Sequence, residues 1–508
     1  MASLVNRSKS SVHRHEQSRA KRNQYPESAF WETEAGAAWL KLLVIAALYT
    51  FGMECHVGAD KLATFFKLIR INTHVGTSAS ALRHQLHQME ALLPLFQQSC
   101  ESDASSSSSS RKAVVAADET FFGDFLILVL MDLPSGYLIL EEISEDRCFD
   151  TWLEKSVPRL KALGLEVNHT ISDRAKALIK LAVTGFEGTS GADTFHAQYD
   201  ISKWLGAKLG RLKALAEKQR AATLQKGVKN PEMEGTLLEK VLQEENSCAE
   251  IQETLMDYQE NLLGVSDDVH PFSIVDNTCT DVEKVISGLE IRAQAFEKIA
   301  HAQKIADSKQ IMNKFRNQFK GLATNIEFWW LWVTEILTDL AIDDVTQHWL
   351  THTLLPVVYW HHQLHKTKNP KQRVKYQQAW RRAVNTLQSD TLTATLPASE
   401  LERWLTWAEW MTRQFHRSSS AVEGRNGFLS QMHHNGRGLT EKRLRALTVI
   451  HNYGIKRLDG TTAAMRFFDR EFPDLLSWLV NEMGELPLPR KAKDRVIHNP
   501  LFLITVPL

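Results

Sequence analysis

Three acids combine type and context in a way that could do chemistry: Asp118 within VVAADETFFG, Asp173 directly after LEVNHTI and Ser172, and Glu423 within SSSAVEGRNG. Asp118 interrupts a run of small and β-branched residues that reads as a buried strand, where an unpaired carboxylate is costly. Asp173 follows a strand directly, at the edge where an open sheet presents its ligands. If the two strands are neighbours, the carboxylates lie one strand spacing apart, about 5 Å. At that separation they repel, and each raises the other's pKa. A divalent cation removes the conflict, and Mg2+ suits it because it takes oxygen ligands and keeps positions for water and phosphate. Mn2+ accepts the same donors. A second ion needs a third acid, for which Glu423 is the candidate; Asn426, three residues on, shares its face if the segment is helical. Two metals about 3.5–4 Å apart activate a water or a 3′-hydroxyl and stabilise the leaving oxygen of a phosphodiester.

Each acid has a plainer alternative. Asp118 could pair with Lys112 or Arg174, Asp173 could cap the helix that starts at Arg174, and Glu423 alone could be a surface glutamate. Gly424 and Gly427 speak against a regular helix around Glu423. Other chemistries fare worse. The sequence contains no G-x-x-x-x-G-K-[ST], G-x-S-x-G or H-E-x-x-H. His361/His362 and His433/His434 are adjacent pairs, not the i, i+4 spacing that presents two ligands on one helix face, and read as structural or DNA-contacting. Asp267/Asp268 and Asp343/Asp344 read as solvated acids or caps.

The elements that would position these acids follow a serine-rich linker at 101–112, the clearest boundary in the chain. Val114–Phe122, Phe125–Met131 and Tyr137–Ile143 read as a strand meander, with DLPSG as the second turn. A helix follows, with Pro158 inside it, then a strand at Leu165–Ser172, a helix at RAKALIKLAV, and a short strand leading into a helix at GADTFHAQYDI. Three meandering strands, helix, strand, helix, with acids on the first and at the end of the fourth strand, is the ribonuclease H-like order. The expected class is therefore an α/β core with a mixed sheet, its first three strands antiparallel. The core spans 113–210 and resumes at 411–508, around a large all-α insertion at 211–410. The tryptophans of FWWLWV read as core packing, and KTKNPKQRVKYQQAWRR as either a DNA-facing or a solvated basic face.

Ahead of the linker, residues 1–29 read as a flexible basic arm and 30–100 as a helical domain compatible with a helix-turn-helix. Its third helix begins near Ser80 and buries a Leu82, Leu86, Met89, Leu93 stripe. Arg83, His84, Gln85 and His87 are left as DNA-contact candidates. The 508 residues carry 60 Lys+Arg and 60 Asp+Glu, so global charge says nothing about nucleic acid. The five scattered cysteines, without CxxC, suit free thiols in a reducing compartment. The longest apolar run, Leu42–Met53, is short for a membrane span, and the polar, basic start lacks a signal-peptide core. The expectation is a cytoplasmic, nucleoid-associated protein with no membrane partner.

With VVAADETFFG, HTISDRAKAL, DTFHAQYDI and above all SSSAVEGRNGFLSQMHHNGRGL followed by LTVIHNYGIKRLDGTTAAMRFF, the chain resembles DDE-type insertion-sequence transposases of the ribonuclease H-like superfamily. FWETEAGAAWLKLL and HVGTSASALRHQL extend the likeness toward the N-terminus. The resemblance implies that Asp118, Asp173 and Glu423 form a catalytic, metal-binding triad for two Mg2+ ions. It implies a helix-turn-helix for residues 36–98. It also implies terminal inverted repeats and target DNA as partners, handled by a dimer or higher assembly. Hydrolysis at the element ends and 3′-hydroxyl strand transfer would be the activity. Arg174, His196 and Asn426 would support the carboxylates or position DNA. Arg425, Arg437, Lys442, Arg443 and Arg445 are candidates for DNA contacts. The alternatives are an inactive transposase-derived DNA-binding protein and a ribonuclease H-like nuclease.

Overall fold

The apolar runs after the serine tract form an antiparallel meander of β1 (Arg111–Phe121), β2 (Leu126–Asp132) and β3 (Leu138–Ser144). This is seen in a computed structural model that describes residues 8–22, 25–105, 111–229, 234–305, 309–434 and 438–489. Every residue of β2 is buried, as expected of a central strand covered on both faces. At the β2–β3 turn, Asp132 accepts from the backbone N–H and the hydroxyl of Ser135, and Gly136 takes φ 77°, a conformation glycine adopts without steric cost. β4 (Leu165–Ser172) and β5 (Thr189–Ala192) add in parallel to β1, giving an open mixed sheet in the order β3-β2-β1-β4-β5. The first and fourth strands are therefore neighbours.

Register decides which side chains share a face. Asp118 pairs with Val129, and Val129 with Glu141; the next row is Glu119, Leu128, Glu142. Successive residues point to opposite sides, so these rows face apart. The Glu119 row faces the helix Phe149–Ala162, where Trp152 Nε1 donates to Glu119 (3.4 Å) and Lys155 to Glu142 (3.0 Å). The Asp118 row faces the helix Ser420–Met432.

Beyond β5 the chain is helical. The helices Ala207–Lys229, Glu234–Asp267, Val282–Ala302 and Lys309–Asp339 lead to a tryptophan- and tyrosine-rich cluster. There Trp329 and Trp332 are buried, and the Trp329 indole donates to the Met411 carbonyl at 3.0 Å. The helix Lys309–Asp339 is fastened to the sheet by Asn325, whose Oδ1 accepts from His169 Nε2 (2.9 Å) and whose Nδ2 donates to the Ala192 carbonyl (2.9 Å). Gly191 makes that approach possible: a Cβ there would lie 1.8 Å from Asn325 Oδ1. Gly191→Ala is expected to destabilise the protein by about 1–3 kcal/mol through overpacking, read as a lower urea midpoint with unchanged slope. The basic helix Pro370–Ser389 spends much of its charge internally, with Lys375 on Asp267 (2.8 Å) and Arg382 on the Ile274 carbonyl.

The chain divides into two compact units, residues 105–430 and residues 1–104 with 431–508. Residues 431–508 thus group with the N-terminal helices, whereas the sequence assigns all of 411–508 to the core; 411–430, with Glu423, group with the sheet. In this second unit the helices Glu34–Ala47, extended by a π-helical turn to Glu54, Ala59–Leu68 and Ala79–Ser105 meet Glu441–Val449 and Leu475–Glu482. Gly58, not Asp60, caps the second of these. Leu82, Leu86, Met89 and Leu93 are buried as the stripe requires, and Phe96 packs against Tyr453 and Trp478. The basic N-terminal stretch contains a helix, Lys9–Arg22. Among the described residues, one helix, Glu34–Glu54, is long and apolar enough to cross a membrane, and half of it is buried inside the protein.

Candidate functional site

The meeting of β1 with the helix Ser420–Met432 gathers three side chains. One ligand atom each from Asp118, His196 and Glu423 lies within 4.8 Å of the others. Asp118 is buried on β1. Glu423 sits in the first turn of its helix, where a carboxylate is favoured by the helix dipole, and it is half-buried. His196 comes from the helix Thr194–Ile201, just past β5.

The helix carrying Glu423 is held on the sheet by its next two polar residues. Asn426 Nδ2 donates to Asp118 Oδ2 at 2.8 Å. Arg425 makes two 2.7 Å contacts to Glu141 on β3, through Nε and Nη2, and both residues are buried. Asp118 and Glu141 are the two ends of one row across the sheet, so Arg425 and Asn426 grip that row at both ends. Gly424 and Gly427 do not break the helix; neither would meet a neighbour with a Cβ added.

Asp193 is the residue the sequence reading missed. It caps the His196 helix by accepting from the Phe195 N–H (2.7 Å), and its other oxygen takes His196 Nδ1 (3.0 Å) and the Ser419 hydroxyl. The signal was the Asp-x-x-His spacing of DTFH, which puts a capping carboxylate one turn before an imidazole. With Nδ1 held by Asp193, Nε2 faces the site, 3.5 Å from Glu423 Oε1. The Thr194 N–H and hydroxyl both bind the Arg417 carbonyl, which joins the segment before Glu423 to the His196 helix.

The electrostatics follow from this crowding. Burial first, and then the charge of Glu423, push the Asp118 carboxyl up to about 7, partly opposed by His196. Burial works against the His196 imidazolium. The hydrogen bond and charge of Asp193, with the charges of Asp118 and Glu423, outweigh that and raise it to about 9. Asp193→Asn is expected to bring the His196 pKa down toward the ordinary histidine range, read from the titration of its ring carbon resonances by NMR.

Of the three predicted carboxylates, Asp118 and Glu423 come together, and Asp173 stands outside the three-residue cluster. Its Oδ1 accepts the Ala175 N–H at 2.8 Å, a turn made possible by the left-handed φ of 64° at Arg174. Its charge acts on Glu119, whose carboxyl is raised by burial and then by Asp173. Arg174 itself reaches the Ser190 carbonyl (3.0 Å) and packs against Gly321, away from the carboxylates it was expected to support.

The DNA-contact candidates divide in the same way. Arg425 is buried against Glu141 and presents nothing to solvent. Gln85 is buried too, because it falls beside the Leu82–Leu86 stripe. Arg443 is engaged by Glu90 (2.6 Å) and the Gly52 carbonyl (3.0 Å). Arg83 is exposed and bonded to Asp60, His84 is exposed, His87 is exposed and bonded to Glu90, Lys442 is exposed, and Arg445 is exposed on Glu441. Arg437 lies outside the described residues. His361, read with its neighbour His362 as structural or DNA-contacting, has an i, i+4 partner in His365, with the two Nε2 atoms 3.2 Å apart.

No curated protein and no solved structure matches the chain. Residues 350–495, which include Glu423 but neither Asp118 nor His196, match a family described as "Family of unknown function (DUF6399)".

Proposed function

We propose that this chain is a metal-dependent DNA transposase of DDE type on a ribonuclease H-like core, cutting phosphodiesters at element ends and joining the 3′-ends to target DNA. One observation carries the reading: Asp118 and Glu423, an acid inside a core strand and an acid on a helix some 300 residues later, converge with His196. The strand order β3-β2-β1-β4-β5 supports it, since it sets β4, which Asp173 directly follows, beside β1.

The donor set fits a divalent ion. Burial and the charge of Glu423 raise the proton affinity of Asp118, a conflict that a cation relieves, and Asn426 Oδ1 is buried beside Asp118 without a hydrogen-bond partner, an oxygen donor of the kind Mg2+ and Mn2+ accept. Asp118 and Glu423 would hold the ion, with Asp173 joining if its carboxylate leaves the Ala175 N–H. Bound there, a divalent ion would activate the attacking oxygen and neutralise the leaving one. The chain's own residues set the frame for that chemistry. Asn426 orients the Asp118 carboxylate, the Arg425–Glu141 pair fixes the helix that carries Glu423, and Asp193 fixes the ring plane of His196. An imidazolium at His196, turned to the carboxylates, adds positive charge where a phosphate would approach.

The test is cleavage and strand transfer on DNA carrying the inverted repeats that flank the gene, with Mg2+ or Mn2+. Activity that survives unchanged in Glu423→Gln overturns the assignment. Cleavage without joining points to a nuclease, and DNA binding without cleavage to an inactive descendant.

A further inference from the structure

The helix that delivers His196 to the site also carries an aromatic ridge that the chemistry above does not use. Ala197 and Ile201 face inward and are buried. On the outer side Phe195 and Tyr199 are 44% and 49% exposed, one helical turn apart. Their rings stack, with centroids 6.1 Å apart and planes at 28°. Lys203 extends the same side by another turn, its ammonium 5.9 Å from the centre of the Tyr199 ring. At the other end, the Phe195 ring lies edge-on to His196, 5.6 Å away. The ridge is thus continuous with the candidate site, since His196 Nε2 is 3.5 Å from Glu423. It is also held in place, because Asp193 pins the Phe195 N–H as well as the His196 ring.

Single exposed aromatics are ordinary. Two stacked ones, bounded by a cation on one side and an acid cluster suited to phosphodiester chemistry on the other, match the chemistry of an unpaired nucleotide. Bases stack on aromatic faces without regard to sequence, and lysines meet the phosphates between them. We propose that Phe195 and Tyr199 form a stacking platform for an unpaired DNA base beside the phosphodiester being processed, with Lys203 on an adjoining phosphate. The proposal rests on the phosphodiester reading of the Asp118–Glu423 site for the identity of the polymer, and its stacking geometry is tested separately. It assigns the substrate as DNA with unpaired nucleotides at the site, rather than continuous duplex.

The full-length protein is titrated, in chelator so that no cleavage occurs, with three fluorescent probes of equal length: a short oligothymidylate, the same strand with abasic positions, and a duplex. Affinity is read by anisotropy for the wild type and for a Phe195→Leu, Tyr199→Leu double variant. Leucine keeps the apolar bulk, and unchanged thermal unfolding shows that the fold is intact. Loss of base stacking is expected to weaken oligothymidylate binding at least about fivefold, with no change on the abasic strand or the duplex. Tyr199→Trp should hold wild-type affinity or exceed it. Equal weakening on all three probes, or none on any, overturns the platform; the second outcome is what a protein occupant of the ridge would produce. Mn2+ with DNA carrying the inverted repeats, added to the wild type, separates the two claims. If the oligothymidylate is bound through its bases but the repeat DNA is never cut, the phosphodiester reading fails while the platform stands. If the repeat DNA is cut but the three probes are not discriminated, the platform fails alone.

Discussion

An Asp118→Asn chain is expected to unfold at a higher temperature than the wild type in chelator, and to lack both the stabilisation by Mn2+ and the DNA cleavage that the proposed function requires of the wild type. The first effect follows from linkage. Asp118 is raised from the usual 3.8 to about 7, so its contribution to stability is fully present below about pH 4 and is lost as pH rises toward 7. At pH 8 the wild type carries this deficit in full. The raised pKa of His196 has the same pH sense but a higher window: its contribution is full below about 6.5 and fades as pH rises through about 9. Much of it is therefore present at pH 8, and the asparagine variant forfeits the part that the Asp118 charge supplies. The net gain of the asparagine variant at pH 8 is on the order of 1–2 kcal/mol, smaller than the carboxylate shift alone would give. The second effect is larger. Removal of groups that merely support a metal ligand costs about 10–100-fold in affinity or activity, so loss of a ligand should cost at least about 100-fold. A thermal-shift titration with Mn2+ at pH 8 checks both. A wild-type Mn2+ shift in the asparagine variant would remove Asp118 from the metal site.

Arg425→Met should be the most destabilising single substitution near the site, costing about 3–5 kcal/mol. It takes away the bidentate Arg425 contact from Glu141, whose side chain is fully shielded from solvent, and removing one partner of a buried pair is strongly destabilising. The measurement is urea unfolding, and the control is a double variant, Arg425→Met with Glu141→Met. Replacing both partners of a buried pair by apolar groups of similar volume is often neutral or better, so the double variant should recover most of the loss. The expectation separates two roles for this arginine. A DNA-contacting Arg425 would leave stability untouched when replaced, and would lower the salt dependence of DNA binding by about one charge. Because Glu423 and Asn426 flank Arg425 on one helix, the single variant should weaken Mn2+ binding as well, and the double variant should restore it.

The sheet was readable from sequence because its strands are apolar runs bounded by turn residues. β4 spans the predicted Leu165–Ser172, and the other strands of the meander fall within a few residues of expectation. Asp118 and Glu423 were readable for the same reason: each breaks a local pattern, one as an acid in a core strand, the other in a block of serines, glycines and asparagine. Asp173 breaks a pattern too, yet the turn at Arg174 uses its carboxylate locally, and no periodicity reveals which way a loop residue turns. Arg425 misled because an arginine among glycines reads as a surface residue. Its partner Glu141 lies 284 positions away, and a single sequence carries no pairing signal over such a distance. Asp193 was hidden by its double use as helix cap and imidazole partner, and the cap alone accounts for an aspartate there. The grouping of the C-terminal segment with the N-terminal helices depends on contacts such as Arg443 with Glu90, which are equally remote in sequence.

The grip of Asn426 on Asp118 spans 308 positions of the chain, and this sets a clock on synthesis. At about 5–20 residues per second, roughly 15–60 s pass between the emergence of the first acid and the arrival of the helix that completes its surroundings. Throughout that interval β1 can pair with its neighbours while the Asp118–His196–Glu423 cluster is incomplete. Chains truncated before Ser420 should retain the sheet and, without Glu423, lack the three-residue cluster.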